Sequence, residues 1–336
     1  MDKLKVLIVT REPVEEAALD VVRKISPRID LTTFTVKEAD KIGDLWKEAE
    51  VLFTSDPLPP DGGAPRLRLI QGYYAGIDRW GGVPLKQPYT WTTTSGIHVH
   101  VSEHAVMLML AFARKLPLII ENQKSAGWPE DRFGIFEPYE LRDATVGVVG
   151  YGTIGRQVGY LSRAFGMRVL AADRPEVIAS EPIWKLPETP SVAECRPDKL
   201  YDPANLKDMV KECDYVTICV PYTTETHGLV SAEVLSAMKP TAVLVNVARG
   251  LVVDEPALIE VLKAGKIRGA GLDVYWEEPL PPSSPFWRMP NVIACPHVAG
   301  FSPHYLKRAM TLFAENLRRY IAGEPLLNVV TKEKGY

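Results

Sequence analysis

Residues 145–173, TVGVVGYGTIGRQVGYLSRAFGMRVLAAD, hold a strand, a glycine turn, a helix and a second strand in that order. Thr145–Val149 is a short β-branched run of the kind buried in a parallel sheet. Gly150-Tyr151-Gly152-Thr153-Ile154-Gly155 follows at once and opens the helical stretch RQVGYLSRAFG, 156–166. GxGxxG alone turns up by chance, but a strand before it and a helix after it are the context a dinucleotide needs. Gly150 permits the tight turn, Gly152 lets a pyrophosphate approach the backbone, and Gly155 lets helix pack on strand. The phosphates would lie on the helix N-terminus. The next strand ends at Asp173, eighteen residues past Gly155. An acid there accepts hydrogen bonds from a ribose and repels a 2′-phosphate, which favours NAD (NADH) over NADP. Arg174 pulls the other way, because a guanidinium beside the acid could receive that phosphate.

The same strand–helix rhythm extends in both directions. Downstream, strands are expected at 168–172, 215–220, 242–247, 270–274 and 291–295. Between them, Ser231 and Asp254 stand as helix caps, with stops at Pro240 and Gly265. Upstream, Val6–Val9, Val51–Thr54, Leu69–Tyr73 and Tyr89–Thr93 read as strands, with a helix from about Glu12 to Ile25. Ser102 is read as the cap of one long helix through Glu103 to about Lys124. Its middle is apolar nearly all round, so burial in a domain seam or subunit interface is expected. An amphipathic helix, about Tyr305–Ala322, closes the pattern. Three stretches break it: Pro57–Pro65, Gly127–Tyr139, and residues 174–205, whose six prolines imply an irregular excursion. The fold class expected is α/β, with two doubly wound, Rossmann-like or flavodoxin-like parallel sheets.

Length and composition remove other classes. The 336 residues allow about two domains. With 39 Lys+Arg against 42 Asp+Glu and no basic run, the chain offers no surface for nucleic acid or an anionic membrane. The apolar strand near the N-terminus is too short for a signal-peptide core, and the longest apolar run, Ala105–Ala113, falls well short of a membrane span, which points to a soluble, cytoplasmic protein. Cys195, Cys213, Cys219 and Cys295 show no CxxC pair and no histidine at metal-ligand spacing. They read as buried thiols of a reducing compartment, with no metal expected.

Three polar residues stand just past expected strands: Arg249 after AVLVNVA, Glu278 beyond AGLDV, and His297 after NVIAC. In an open parallel sheet the ligand crevice lies outside the carboxyl ends of the strands. Each residue alone has an ordinary structural use, but three at such ends form a chemical set. Hydride arriving at the carbonyl carbon of a 2-oxo acid leaves an alkoxide that needs a proton donor titrating near neutrality. A carboxylate on the second ring nitrogen fixes the tautomer and raises the imidazolium pKa. Arginine offers a planar fork to the substrate carboxylate and carbonyl.

The chain also resembles the D-isomer-specific 2-hydroxyacid dehydrogenases, a family that includes glyoxylate/hydroxypyruvate reductases and phosphoglycerate dehydrogenases. The resemblance rests on ELRDATVGVVGYGTIGR (140–156), VPYTTETHGLV (220–230), MKPTAVLVNVARGLVVDEPAL (238–258), GLDVYWEEP (271–279), PHVAG (296–300) and LNVVTKEKGY (327–336). It implies that residues 1–99 and 298–336 form a discontinuous substrate domain and that 100–297 form the inserted NAD-binding domain. It implies that Arg249 binds substrate, that His297 is the acid/base and that Glu278 is its partner. Val220, Pro221, Thr226, Val247, Ala248, Asp273, His297 and Gly300 would line the nicotinamide side, and the backbone of Tyr74, Ala75 and Gly76 would hold the substrate carboxylate. A homodimer through the cofactor domain is implied as well. The substrate expected is a small 2-oxo acid or its D-2-hydroxy acid, glyoxylate- or hydroxypyruvate-like. Within the family resembled, phosphite-oxidising members carry a lysine where this chain has Ala75, which argues against phosphite, and formate dehydrogenases have glutamine where it has Glu278, which argues against formate. His98 and His100 fall near the expected substrate pocket. The competing reading is an NAD(H)-sensing binding protein or corepressor of the same fold.

Overall fold

The computed structural model describes residues 3–80, 88–180, 184–187 and 189–331. Part of the excursion and the last five residues of the closing motif therefore lie outside the described residues. The chain divides into two compact units. The first comprises Met1–Ile97, residues 184–186 and Ser302–Tyr336; the second comprises His98–Pro182 and Pro187–Phe301.

In the first unit, β1 (Leu4–Thr10), β2 (Ile29–Thr35), β3 (Val51–Thr54), β4 (Leu69–Gly72) and β5 (Thr90–Thr92) form a parallel sheet in the order β2-β1-β3-β4-β5. Side chains alternate across it. Leu4, Val6 and Ile8 face a core shared with the helices Glu16–Arg23 and Tyr305–Ala322, while Leu7 and Val9 join Trp46, Trp80 and Trp91 on the other face. β2 is absent from the sequence reading. Its residues, IDLTTFT, are only partly buried, so the segment carries no continuous apolar run. The first helix begins at Glu16 rather than Glu12. From within the excursion, Trp184 packs on this core, and Gly96 (φ +99°) makes room for its carbonyl.

In the second unit, β6 (Thr145–Val149), β7 (Arg168–Ala172), β8 (Lys199–Tyr201), β9 (Tyr215–Ile218), β10 (Val243–Asn246), β11 (Gly269–Leu272) and β12 (Val292–Ala294) run parallel in the order β12-β11-β10-β9-β6-β7-β8. Chain order reverses between β6 and β9, the switch point at which such sheets open a crevice. β8 corrects the reading of 174–205 as irregular throughout. Three residues of that stretch pair with β7, and Pro175–Ala179 forms a helical turn.

The long apolar helix is also corrected. Helix Val99–Ala113 starts a turn early, because the Ser102 hydroxyl donates to the Val99 carbonyl inside the helix instead of capping it. At Lys115 the backbone turns left-handed (φ +51°), and Pro117 then begins a separate helix, Leu116–Lys124. The first piece is buried. The second has no buried residue and exposes Leu116, Leu118, Ile119 and Ile120.

Two glycines of β11 set how closely the first piece lies on the sheet. A Cβ on Gly269 would come within 2.6 Å of Phe112, and one on Gly271 within 3.1 Å of Leu108. Four helical residues rise ~6 Å and two strand residues ~6.6 Å, so the helix face 104–108–112 runs along 273–271–269 nearly in step.

Candidate active site

The glycine turn has the shape its spacing implies. Gly150 sits at φ +89°, which favours glycine, and a Cβ on Gly155 would lie 2.0 Å from the Gly150 carbonyl oxygen. Around Gly152 a Cβ would meet nothing within 4 Å, which leaves room at the N-terminus of helix Thr153–Ala164. A dinucleotide phosphate fits such a cradle. Tyr151 contributes backbone alone, because its ring is buried and its hydroxyl donates to the Cys195 carbonyl. Ile154 packs on the core between sheet and helix. Asp173 is more occupied than the sequence shows. One carboxylate oxygen accepts from the Tyr151 amide at 2.6 Å and the other from the Arg174 amide at 2.7 Å. It thus pins the glycine turn to the end of β7, with a lone pair on each oxygen still available to a ribose. Arg156, which the sequence reading passed over, is buried and holds the carbonyls of Val177 and Ser180 at 2.5 and 2.7 Å. Its guanidinium thereby ties the turn's helix to the segment after Arg174.

Across the same sheet edge, beyond β10, β11 and β12, stand the three residues of the chemical set. His297 Nδ1 and Glu278 Oε2 are 2.6 Å apart, and Glu278 Oε1 accepts from the Tyr275 amide at 3.0 Å. Both carboxylate oxygens are therefore fixed, and Nε2 is the ring nitrogen left for a substrate. His297 has φ +54°, a left-handed backbone that favours glycine. Its position is held from the other side by Asp273, buried at 1% exposure, which accepts from the Val298 and Ala299 amides at 2.8 Å each. The hydrogen bond to Glu278 raises the His297 pKa above its ordinary value; burial and the Arg249 charge oppose it and are outweighed. Burial pushes the Glu278 carboxyl up. The hydrogen bonds from His297 and Tyr275, with the charges of His297 and Arg249, more than reverse this and hold it low. The two shifts run in opposite directions, and each favours the charged form of its group.

Arg249 donates to its neighbour's carbonyl, Ala248 O, at 2.8 Å. Asn246 braces the loop, taking the Ala248 amide and giving to the Arg249 carbonyl at 3.0 Å each. A Cβ on Gly250 would lie 2.0 Å from the Tyr275 carbonyl carbon, so the Arg249 and Glu278 loops touch backbone to backbone. Val247 and Ala248 are buried, Val220 is half-buried, and Pro221 is exposed with its carbonyl accepting from the Thr226 hydroxyl at 2.7 Å. Gly300 is exposed. His98 and His100 are both buried, with ring centroids 5.8 Å apart. Burial, reinforced by the charges of His100 and Arg249, holds His98 down at about 3 and so neutral. His100 bonds the Gly300 carbonyl through Nε2 at 3.0 Å. Tyr74, Ala75 and Gly76 lie in the first unit, just past β4, and are half-buried. No helix among the described residues is long and apolar enough to cross a membrane.

Known proteins are similar to this chain in sequence and in fold. Residues 106–299 match the family description "D-isomer specific 2-hydroxyacid dehydrogenase, NAD binding domain". A D-3-phosphoglycerate dehydrogenase of Methanocaldococcus jannaschii is 32% identical in an alignment of 335 positions that covers 97% of this chain. The chain spans only 59% of that longer relative. A glyoxylate reductase of Korarchaeum cryptofilum is 33% identical over 298 residues, covering 85% of this chain and 83% of its own length. Among solved structures, a D-isomer specific 2-hydroxyacid dehydrogenase of Xanthobacter autotrophicus Py2, in complex with NADPH and MES, superposes with a TM-score of 0.79 at 26% identity, over 99% of this chain and all of its own. The chain belongs to the D-isomer specific 2-hydroxyacid dehydrogenases, a family of oxidoreductases.

Proposed function

We propose that this chain reduces a small 2-oxo acid, of the glyoxylate or hydroxypyruvate kind, to its D-2-hydroxy acid, with residues 100–297 as the cofactor domain. The observation that carries the reading is the 2.6 Å contact between His297 and Glu278, on the sheet edge that also carries the glycine turn. β6 and β12 are four strand spacings apart, about 19 Å. An extended dinucleotide suits that span and a mononucleotide does not. When bound, the cofactor supplies the hydride. His297 Nε2 holds the proton destined for the substrate oxygen, and Glu278 stabilises the imidazolium. Arg249 takes the substrate carboxylate with its planar fork, and the backbone of Tyr74, Ala75 and Gly76 keeps the carboxylate role that the resemblance implies. Val220, Pro221, Thr226, Val247, Ala248, Asp273 and Gly300 are assigned to the nicotinamide side.

Asp173 supports NADH, whereas Arg174 and the NADPH-bound relative support the phosphorylated form; the proposal is NADH. The relatives are enzymes by name, so the corepressor reading is not favoured. The exposed row Leu116, Leu118, Ile119 and Ile120 supports a homodimer, because an apolar helix face of this kind is ordinarily covered. The deciding assay follows NADH and NADPH consumption with glyoxylate, hydroxypyruvate, pyruvate and bulkier 2-oxo acids. Turnover of the two small acids is expected, and no turnover of any 2-oxo acid overturns the proposal.

A further inference from the structure

The step between helix Val99–Ala113 and β11 has a chemical outcome at its open end. Leu108 meets Gly271 and Phe112 meets Gly269, so the next position along the helix face, His104, falls over Asp273. β12, paired with β11, ends beside them and delivers Cys295. The ligand atoms of His104, Asp273 and Cys295 all lie within 4.8 Å of one another. His104 Nε2 is buried with no hydrogen-bond partner, 3.7 Å from Asp273 Oδ1 and beyond hydrogen-bond reach. The Asp273 carboxylate gives one lone pair per oxygen to the Val298 and Ala299 amides and keeps the others. Cys295 is partly exposed and free, which gives solvent a route in.

We propose that His104, Asp273 and Cys295 bind a thiophilic divalent cation, Zn²⁺ or its analogue Co²⁺. A nitrogen, an oxygen and a sulfur in one cluster suit these ions and not Mg²⁺ or Ca²⁺, which take oxygen. Metal–ligand bonds of about 2.0–2.3 Å place tetrahedral ligand atoms roughly 3.3–3.8 Å apart, so the three groups, now within 4.8 Å of one another, close by about 1.5 Å or less. The fourth position belongs to solvent. On binding, the Cys295 S–H bond breaks, its proton passes to water and a sulfur–metal bond forms; nothing is oxidised or reduced. Because the reading above also places Asp273 on the nicotinamide side, a bound metal weakens NADH. This consequence, unlike the site itself, rests on that reading.

The test uses the full chain, stripped with a chelator and titrated with Co²⁺. A near-ultraviolet thiolate-to-cobalt band should saturate at about one ion per chain, with release of about one proton. Cys295→Ser should abolish the band and Cys219→Ser should keep it. His104→Ala should weaken Co²⁺ binding by at least the about 10–100-fold that loss of an outer-shell partner causes. Far-UV circular dichroism checks that each variant is folded. No band in the wild type, or a band that survives in folded Cys295→Ser, overturns the site. In a second arm, Zn²⁺ should raise the NADH Kd by about tenfold or more in the wild type and leave it unchanged in Cys295→Ser. An unchanged Kd in the metal-loaded wild type overturns the shared role of Asp273. A chain with the band that binds no NADH overturns the cofactor reading and leaves the metal site standing.

Discussion

Asp173 and Glu278 stand at opposite parts of one sheet edge, and each uses one oxygen to catch a backbone amide. They differ in what the second oxygen meets. In Asp173 it meets another amide, so the whole carboxylate braces the chain. In Glu278 it meets an imidazole, so a main-chain brace on one oxygen aims the other at the proposed proton carrier, His297. A carboxylate held wholly by backbone sets the shape of a binding turn, whereas one held half by backbone sets the charge of its partner. Asp173 should therefore govern affinity and Glu278 a titration.

The largest effect expected is at the group Glu278 aims. His297→Ala should lower kcat by roughly 10²–10⁴-fold, the range of positioned proton transfer, with NADH affinity nearly intact by fluorescence titration. A kcat within about a factor of two of wild type breaks the contrast at its centre. Arg249→Ala should raise KM for the 2-oxo acid by about 10–100-fold, since a hydrogen bond to a charged group is worth about 1.5–3 kcal/mol. Asp173→Ala frees the glycine turn and should raise the NADH Kd by about tenfold, a loss near 1.4 kcal/mol, with kcat at saturating NADH little changed. A fall in kcat with Kd unchanged would invert the contrast.

Glu278→Gln is the subtlest variant and the sharpest. The wild-type His297 pKa lies above its ordinary value because of the hydrogen bond to Glu278. Reduction needs the imidazolium, so kcat/KM for the 2-oxo acid stays high below that pKa and falls as pH rises through it. With the carboxylate neutralised, the fall should move to lower pH. An unmoved pH profile would mean that the pair is structural.

The binding half of this contrast was the easier to find in the sequence. GxGxxG is local, and the strand before it and the helix after it lie within thirty residues, so one window contains the cause and the result. Arg249, Glu278 and His297 are legible in a different way, as polar residues just past apolar runs. That rule works because a parallel sheet exports every strand end to one edge. What escaped is what depends on partners far along the chain. β2 is half-buried and threonine-rich, so its strand character comes from pairing with β1 rather than from its own pattern. β8 is three residues long and shows only through β7. Ser102 looked like a cap because the sequence cannot tell a hydroxyl that takes an amide from one that gives to a carbonyl three residues back. The split at Lys115 did carry a signal, Pro117, but the apolar run across it masked the break. His104 and Cys295 showed no ligand spacing, because three elements supply the cluster with Asp273. The legible trace was the alternation GAGLD at 269–273, two bare positions on the helix-facing side ahead of an acid.

The contact of Gly250 with the Tyr275 backbone bears on how the enzyme's appetite can be altered. Loops that abut without intervening side chains resist sliding past one another, so Arg249, proposed to anchor the acid head, and Glu278, which braces His297, form one jaw. Under the proposed roles, spreading that jaw to admit a bulkier acid would also misaim the imidazole. Variation in diet, natural or engineered, therefore has to come from residues outside it, and an engineer is best served by leaving 246–250 and 273–278 untouched.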